Sequence, residues 1–154
     1  MPVFMASTRV GGTIDEVYTF HTDPHNLTRL QPPGFCLSRL EMSGPPVVGS
    51  EARLTVRFLG VPQHWHVRLE RLDPPHGGKP RARVVDRALA SPFGFWRHQH
   101  VFEQEGGGVR LTDVVDFDPP GGRAGWVLLP GCFLVFWLLF SFRHAVSRRI
   151  WGPG

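Results

Sequence analysis

The sequence predicts an α+β fold, with strands gathered in the middle of the chain and helices set apart near its two ends. Three observations carry this. Two helix-start signals stand close together before Gly34, segments of period-two alternation fill the centre, and an uncharged stretch from Gly125 to Phe142 leads into a closing helix. Helices segregated from a run of strands are the α+β pattern, whereas a parallel sheet would alternate the two. A chain of 154 residues can bury a self-sufficient core. With no internal repeat and no long linker, residues 1–154 are expected to form a single domain.

A first strand is expected over Val3 to Val10, ended by Gly11-Gly12. Thr13-Ile14-Asp15-Glu16 then has capping-box spacing, in which the Thr13 side chain caps and Glu16 reaches back. Ile14, Val17 and Tyr18 recur at helical spacing, so a short helix follows. Asp23-Pro24 is a second start signal, a cap followed by proline in the first turn. Leu27 and Leu30 supply that helix with an apolar side, and Pro32-Pro33-Gly34 ends it.

The period then changes. Ala52, Leu54, Val56 and Phe58 alternate with polar residues, as do Trp65, Val67 and Leu69, which marks two half-buried strands. Alternation points His64 and His66 away from the core, as solvated histidines. The turn-rich Asp73 to Gly78 separates these from a weaker strand, about Arg81 to Leu89, whose inward side the pattern leaves undecided. Trp96, His98, His100 and Phe102 then share one face of a strand, and Gly106-Gly107 supplies a two-residue hairpin turn. That turn pairs Glu103 with Arg110 and Arg97 with Asp116 outside. Inside, it pairs Phe102 with Leu111, His98 with Val115, and Trp96 with Phe117. Matching charges outside and apolar pairs inside support the register independently.

The closing helix is expected over about Cys132 to Ile150. Pro130-Gly131 is read as a break in the uncharged stretch, which leaves Cys132 to Phe142 before Arg143. Those residues rise about 16 Å as helix, roughly half the hydrocarbon thickness of a bilayer, so a buried helix is preferred to a membrane span. From Phe133 to Phe142 the helix is apolar on every side, so something must cover its outer face. The candidates are the Trp126–Leu129 segment, a partner subunit and peripheral contact with a membrane surface. A homodimer is the cover expected.

The formal charge is +4, with 17 basic residues spread among 13 acidic ones rather than gathered in a run. So diffuse a charge argues against nucleic-acid binding. Cys36 and Cys132 are too few for a disulfide framework, and no basic-then-apolar leader opens the chain. A cytoplasmic protein is the expectation.

The sequence resembles the START-like (SRPBCC) superfamily, the polyketide cyclase/dehydrase and lipid-binding group. The resemblance rests on Ile14-Asp15-Glu16-Val17-Tyr18 with Phe20, and on Asp23-Pro24-His25-Asn26-Leu27. It continues in the strand opening near Gly49, the Asp73-Pro74-Pro75 turn, and the segment PFGFWRHQHVFEQEGGGVRLTDVVDF, so that it spans nearly the whole chain. It implies a helix-grip fold: a seven-stranded antiparallel sheet curved around the long C-terminal helix, with a cavity between them. It also implies a hydrophobic ligand such as a lipid, polyketide or aromatic metabolite. It supplies no shared catalytic residue, and the closing helix is unusually aromatic for the group.

The hairpin register sets His100 opposite Asp113 on the inner face, with His98 two residues away. A carboxylate facing an apolar interior needs a partner, and one that fixes an imidazole tautomer can make that imidazole a general base. A cyclase or dehydrase would use His100 as that base, oriented by Asp113. A satisfied polar pair lining the pocket is the plainer alternative and is favoured. His98, His100 and Asp113 also contain the elements of a two-histidine, one-carboxylate metal site, but no second motif reinforces it, so neither metal nor cofactor is expected. Trp65, Trp96, His98, Phe102 and Phe117 on the sheet, with Phe136 and Phe140 on the helix, are the expected ligand contacts. Binding of a small hydrophobic molecule is the favoured function and catalysis the alternative.

Overall fold

The computed structural model describes residues 1–154. Seven strands form one antiparallel sheet: β1 (Val3–Val10), β2 (Phe35–Met42), β3 (Glu51–Phe58), β4 (Val61–Asp73), β5 (Arg81–Ala90), β6 (Phe95–Glu105) and β7 (Gly108–Asp118). Their order is β1-β7-β6-β5-β4-β3-β2, so β1 and β2 are the edges. Helix α1 (Ile14–Thr22) follows β1, and helix α2 (Leu129–Trp151) closes the chain. This is the α+β helix-grip architecture.

The early helices form for the reasons the sequence gives. Thr13 accepts from the Glu16 amide while the Glu16 carboxylate accepts from the Thr13 amide at 2.9 Å, a complete capping box. Asp23 caps the next element, but Pro24–Leu30 winds as a 3₁₀ helix rather than an α-helix. The β6–β7 register is the expected one throughout, from Phe95 opposite Asp118 to Glu105 opposite Gly108. Gly106 turns the hairpin at a φ of 57°, where a side chain would be strained. Outside, Arg97 pairs with Asp116 at 4.0 Å, whereas Arg110 turns to Glu105 at 2.7 Å and leaves Glu103 to Arg81 at 3.5 Å.

Two expectations need correction. Strand β2 was not anticipated, because its pairing with β3 shifts between Leu37 and Arg39. The bulge changes the parity of the inward residues, so Phe35 before it and Leu40 and Met42 after it face the same cavity. Helix α2 begins earlier than expected, at Leu129, because Pro130 sits in its first turn and breaks nothing.

The buried stripe of α2 is Phe136, Phe140, His144 and Ser147, spaced as one helix face. Phe136 and Phe140 pack with Phe4, Trp96, Val115 and Phe117, and a second cluster joins α1 to Phe102, Val109 and Leu111. The other side of α2 is not covered, so the helix is buried along one stripe only. Trp137 is 58% exposed, Leu134 and Leu138 are similar, and the Trp126–Leu129 segment leaves Val127 and Leu128 exposed as well. The helical run Gly122–Trp151 is long and apolar enough to cross a bilayer by length and composition.

Candidate functional site

Between α2 and the inner face of the sheet lies a cavity of about 700 Å³. Its apolar wall comes from alternate residues of β3 and β4, among them Leu54, Val56, Trp65 and Val67, and from Phe136 and Phe140 of α2. The volume is that of a pocket for one small molecule.

Titratable side chains gather where α1, β5, β6, β7 and α2 converge. Asp113 on β7 is their centre, 2% exposed and set behind the cavity wall. His98 Nε2 donates to its Oδ1 at 3.0 Å, and His144 Nε2 donates to its Oδ2 at 2.7 Å. His100 Nδ1 lies 2.6 Å from Oδ1 but is not aligned to donate, so this buried nitrogen has no hydrogen-bond partner. One carboxylate thus accepts from two imidazoles and lies against a third. Burial alone would favour the protonated acid. His100 and the hydrogen bonds from the imidazoles outweigh it and hold Asp113 well below the usual carboxylate range.

His98 turns its other nitrogen toward Asp86 Oδ2, 3.6 Å away. Burial, reinforced by His100, lowers the His98 pKa and favours the neutral ring. His21 on α1 donates Nδ1–H to the Val17 carbonyl at 2.8 Å, and burial pulls it down to about 4. Asp86, His98 and His100 each place one donor atom within 4.8 Å of the others, and all three line the cavity. They, rather than a set containing Asp113, are the grouping that could hold a metal ion.

The sequence-derived candidates separate into two groups. His98, His100, Trp65, Trp96, Phe136 and Phe140 line the cavity. Phe102 and Phe117 do not: both are fully buried, Phe102 edge-on to Tyr18 and Phe117 against Phe133 and Phe136. Asp113 stands behind His98 and His100 as a shared acceptor, not as the exclusive partner of His100. His64 and His66 lie outside the cavity, bonded to Thr55 and Glu51.

Sequence reasoning missed His21, Asp86, Arg143 and His144. His144 had a signal, since it continues the Phe136–Phe140 stripe by one more turn. His21 likewise extends the Ile14–Val17–Tyr18 face of α1. Asp86 lies on β5, the strand whose inward side was undecided. Arg143, three residues after Phe140 and seven after Phe136, shares the spacing of that α2 stripe, but its charge reads as the end of the apolar stretch.

A curved sheet gripping one helix around a largely apolar cavity is the helix-grip fold that START-like proteins also have. Solved structures agree in fold. Truncated norcoclaurine synthase from Thalictrum flavum superposes with a TM-score of 0.70 at 14% identity, over 97% of this chain and 92% of that one. A START superfamily protein from Mycobacterium smegmatis gives 0.67 at 10% identity, over 96% and 98%. A ginseng major latex-like protein from Panax ginseng gives 0.66 at 16% identity, over 95% and 97%. No protein-family profile and no curated protein sequence matches the chain. At these identities the likeness is one of fold.

Proposed function

We propose that residues 1–154 are a single ligand-binding domain that carries, senses or transfers a small hydrophobic molecule in the cytoplasm. The observation that supports this most strongly is the cavity itself, about 700 Å³ with a wall dominated by aliphatic and aromatic side chains. A core would fill that space by packing, because protein interiors reach crystal-like density. Trp65, Trp96, His98, Phe136 and Phe140 are the proposed contacts. Phe102 and Phe117 support the wall from behind.

The test is to fill the space. Leu54→Trp adds an indole where the β3 wall faces the cavity. It should weaken uptake of apolar probes such as a fatty alcohol while circular dichroism stays unchanged. Uptake equal to the wild type would contradict the assignment of this cavity.

A second reading has its own observation. His100 lines the cavity with Asp113 2.6 Å behind it, close enough that a turn of the ring would give the hydrogen-bonded carboxylate partner that a general base needs. It would make the chain a cyclase/dehydrase-type enzyme acting next to a carbonyl. Lost turnover with retained binding in His100→Ala favours this reading, and unchanged behaviour favours the carrier. We also propose a homodimer through the uncovered face of α2. A mass by light scattering that stays monomeric at every concentration contradicts it.

A further inference from the structure

Arg143 is an arginine without a partner. It stands seven residues after Phe136 and three after Phe140, on the stripe of α2 that lines the cavity. Its guanidinium lies 5.4 Å from the centroid of the Phe140 ring. Its Nε is buried and bonded to nothing, and the guanidinium makes no hydrogen bond and no ion pair. Neither nearby acid forms an ion pair with it. Asp113 accepts from two imidazoles and lies against a third, and Asp86 faces His98 at 3.6 Å. Both act on Arg143 only through longer-range attraction, against a burial that disfavours its charge. A part-buried cation set against an apolar wall with no hydrogen-bonded counterion is costly, and the side chain cannot shed its proton to escape that cost.

We propose that Arg143 is the head-group site of the cavity, and that the ligand is a monoanionic carboxylic acid with an apolar body. The inference rests on the ligand-binding reading above and specifies its chemistry. A guanidinium fork matches a carboxylate edge to edge, and the charge-assisted hydrogen bonds gain strength where water is excluded. One positive charge calls for one negative charge. A phosphate dianion would bring a surplus charge toward Asp113 and Asp86, which already carry the negative side of this cluster. The apolar body would then run along Phe136, Trp65 and Leu54, leaving the carboxylate as the only polar part within the wall.

The test is titration of the full chain with dodecanoate, 1-dodecanol and dodecylamine, read by tryptophan fluorescence in a Trp126→Phe, Trp137→Phe, Trp151→Phe background that leaves Trp65 and Trp96 in the wall. The wild type should bind dodecanoate about tenfold or more tightly than dodecanol, and dodecylamine more weakly than either. Arg143→Met should remove the preference for the acid while dodecanol affinity stays within about twofold, and Arg143→Lys should keep part of it. Equal wild-type affinities for acid and alcohol would overturn the head-group site and leave the cavity reading standing. So would a preference that persists in Arg143→Met. Failure of all three probes to bind would overturn both. The wild-type comparison decides the matter even if Arg143→Met does not fold.

Discussion

The two ends of the sheet differ in what lies against them. On β6 and β7 most inward residues press on helices, although Trp96, His98 and His100 of β6 also border the cavity. Phe102, Leu111 and Val109 meet α1, Trp96, Val115 and Phe117 meet α2, and nearly all are below a tenth exposed. On β2 and β3 the inward residues, from Phe35 and Leu40 to Leu54 and Val56, are only half-buried, because they face the cavity instead of a helix. The same alternation serves both ends. Where a helix covers the sheet it produces core, and where the helix stands off it produces a cavity wall. Stability is therefore concentrated at one end and capacity for a ligand at the other.

The largest effects should come from breaking the covered end. Phe102→Ala removes a fully buried ring and should cost about 3–5 kcal/mol, read by urea unfolding. Leu54→Ala at the open end should cost about 1 kcal/mol or less, since little packs against the side chain it removes. Equal costs would mean that the two ends do not differ as described.

Asp113 is the next test, because it belongs to the covered end yet holds the groups that face the cavity. Asp113→Asn removes the charge and converts one acceptor to a donor beneath three imidazoles. It should cost about 2–4 kcal/mol, with the loss shared among His98, His100 and His144. A His98→Asn change made on top of Asp113→Asn should then cost less than it does alone.

Acid should sharpen the same contrast. His21 is held at about 4 in the fold and returns to about 6.5 when unfolded, so the unfolded chain takes up the proton first. Its stabilising contribution is complete above pH 6.5 and is lost as pH falls toward 4, about 3 kcal/mol in all. His98 shifts in the same direction and adds to the loss. Asp113, also depressed, extends it below the ordinary carboxylate range. Chemical denaturation between pH 7 and 4 measures the slope, and His21→Phe should flatten it.

Legibility in the sequence followed cover as well. The β6–β7 hairpin could be read to single-residue register, because its inward side chains are uniformly enclosed and its turn glycines leave one pairing. That register was enough to place His100 opposite Asp113 and His98 beside them. Strand β2 was invisible because a bulge at its centre interrupts the alternation, and a lightly covered edge strand tolerates such a bulge. The site was legible only where one strand pair built it. His144 and Arg143 from α2, His21 from α1 and Asp86 from β5 arrive by packing between elements: helical spacing gives the inward faces of His144 and His21, but not that they converge on Asp113. Phe102 and Phe117 show the converse: alternation gives the face of a residue, but not whether a helix or a cavity lies above it.

The central claim is that the open end holds an apolar molecule. Native mass spectrometry of the purified chain, followed by denaturing extraction, tests it most directly. The account predicts an added mass that dissociates on unfolding and extracts as one small apolar compound, or uptake of such a compound from a lipid and polyketide panel. A clean apo mass with no uptake from that panel would contradict it.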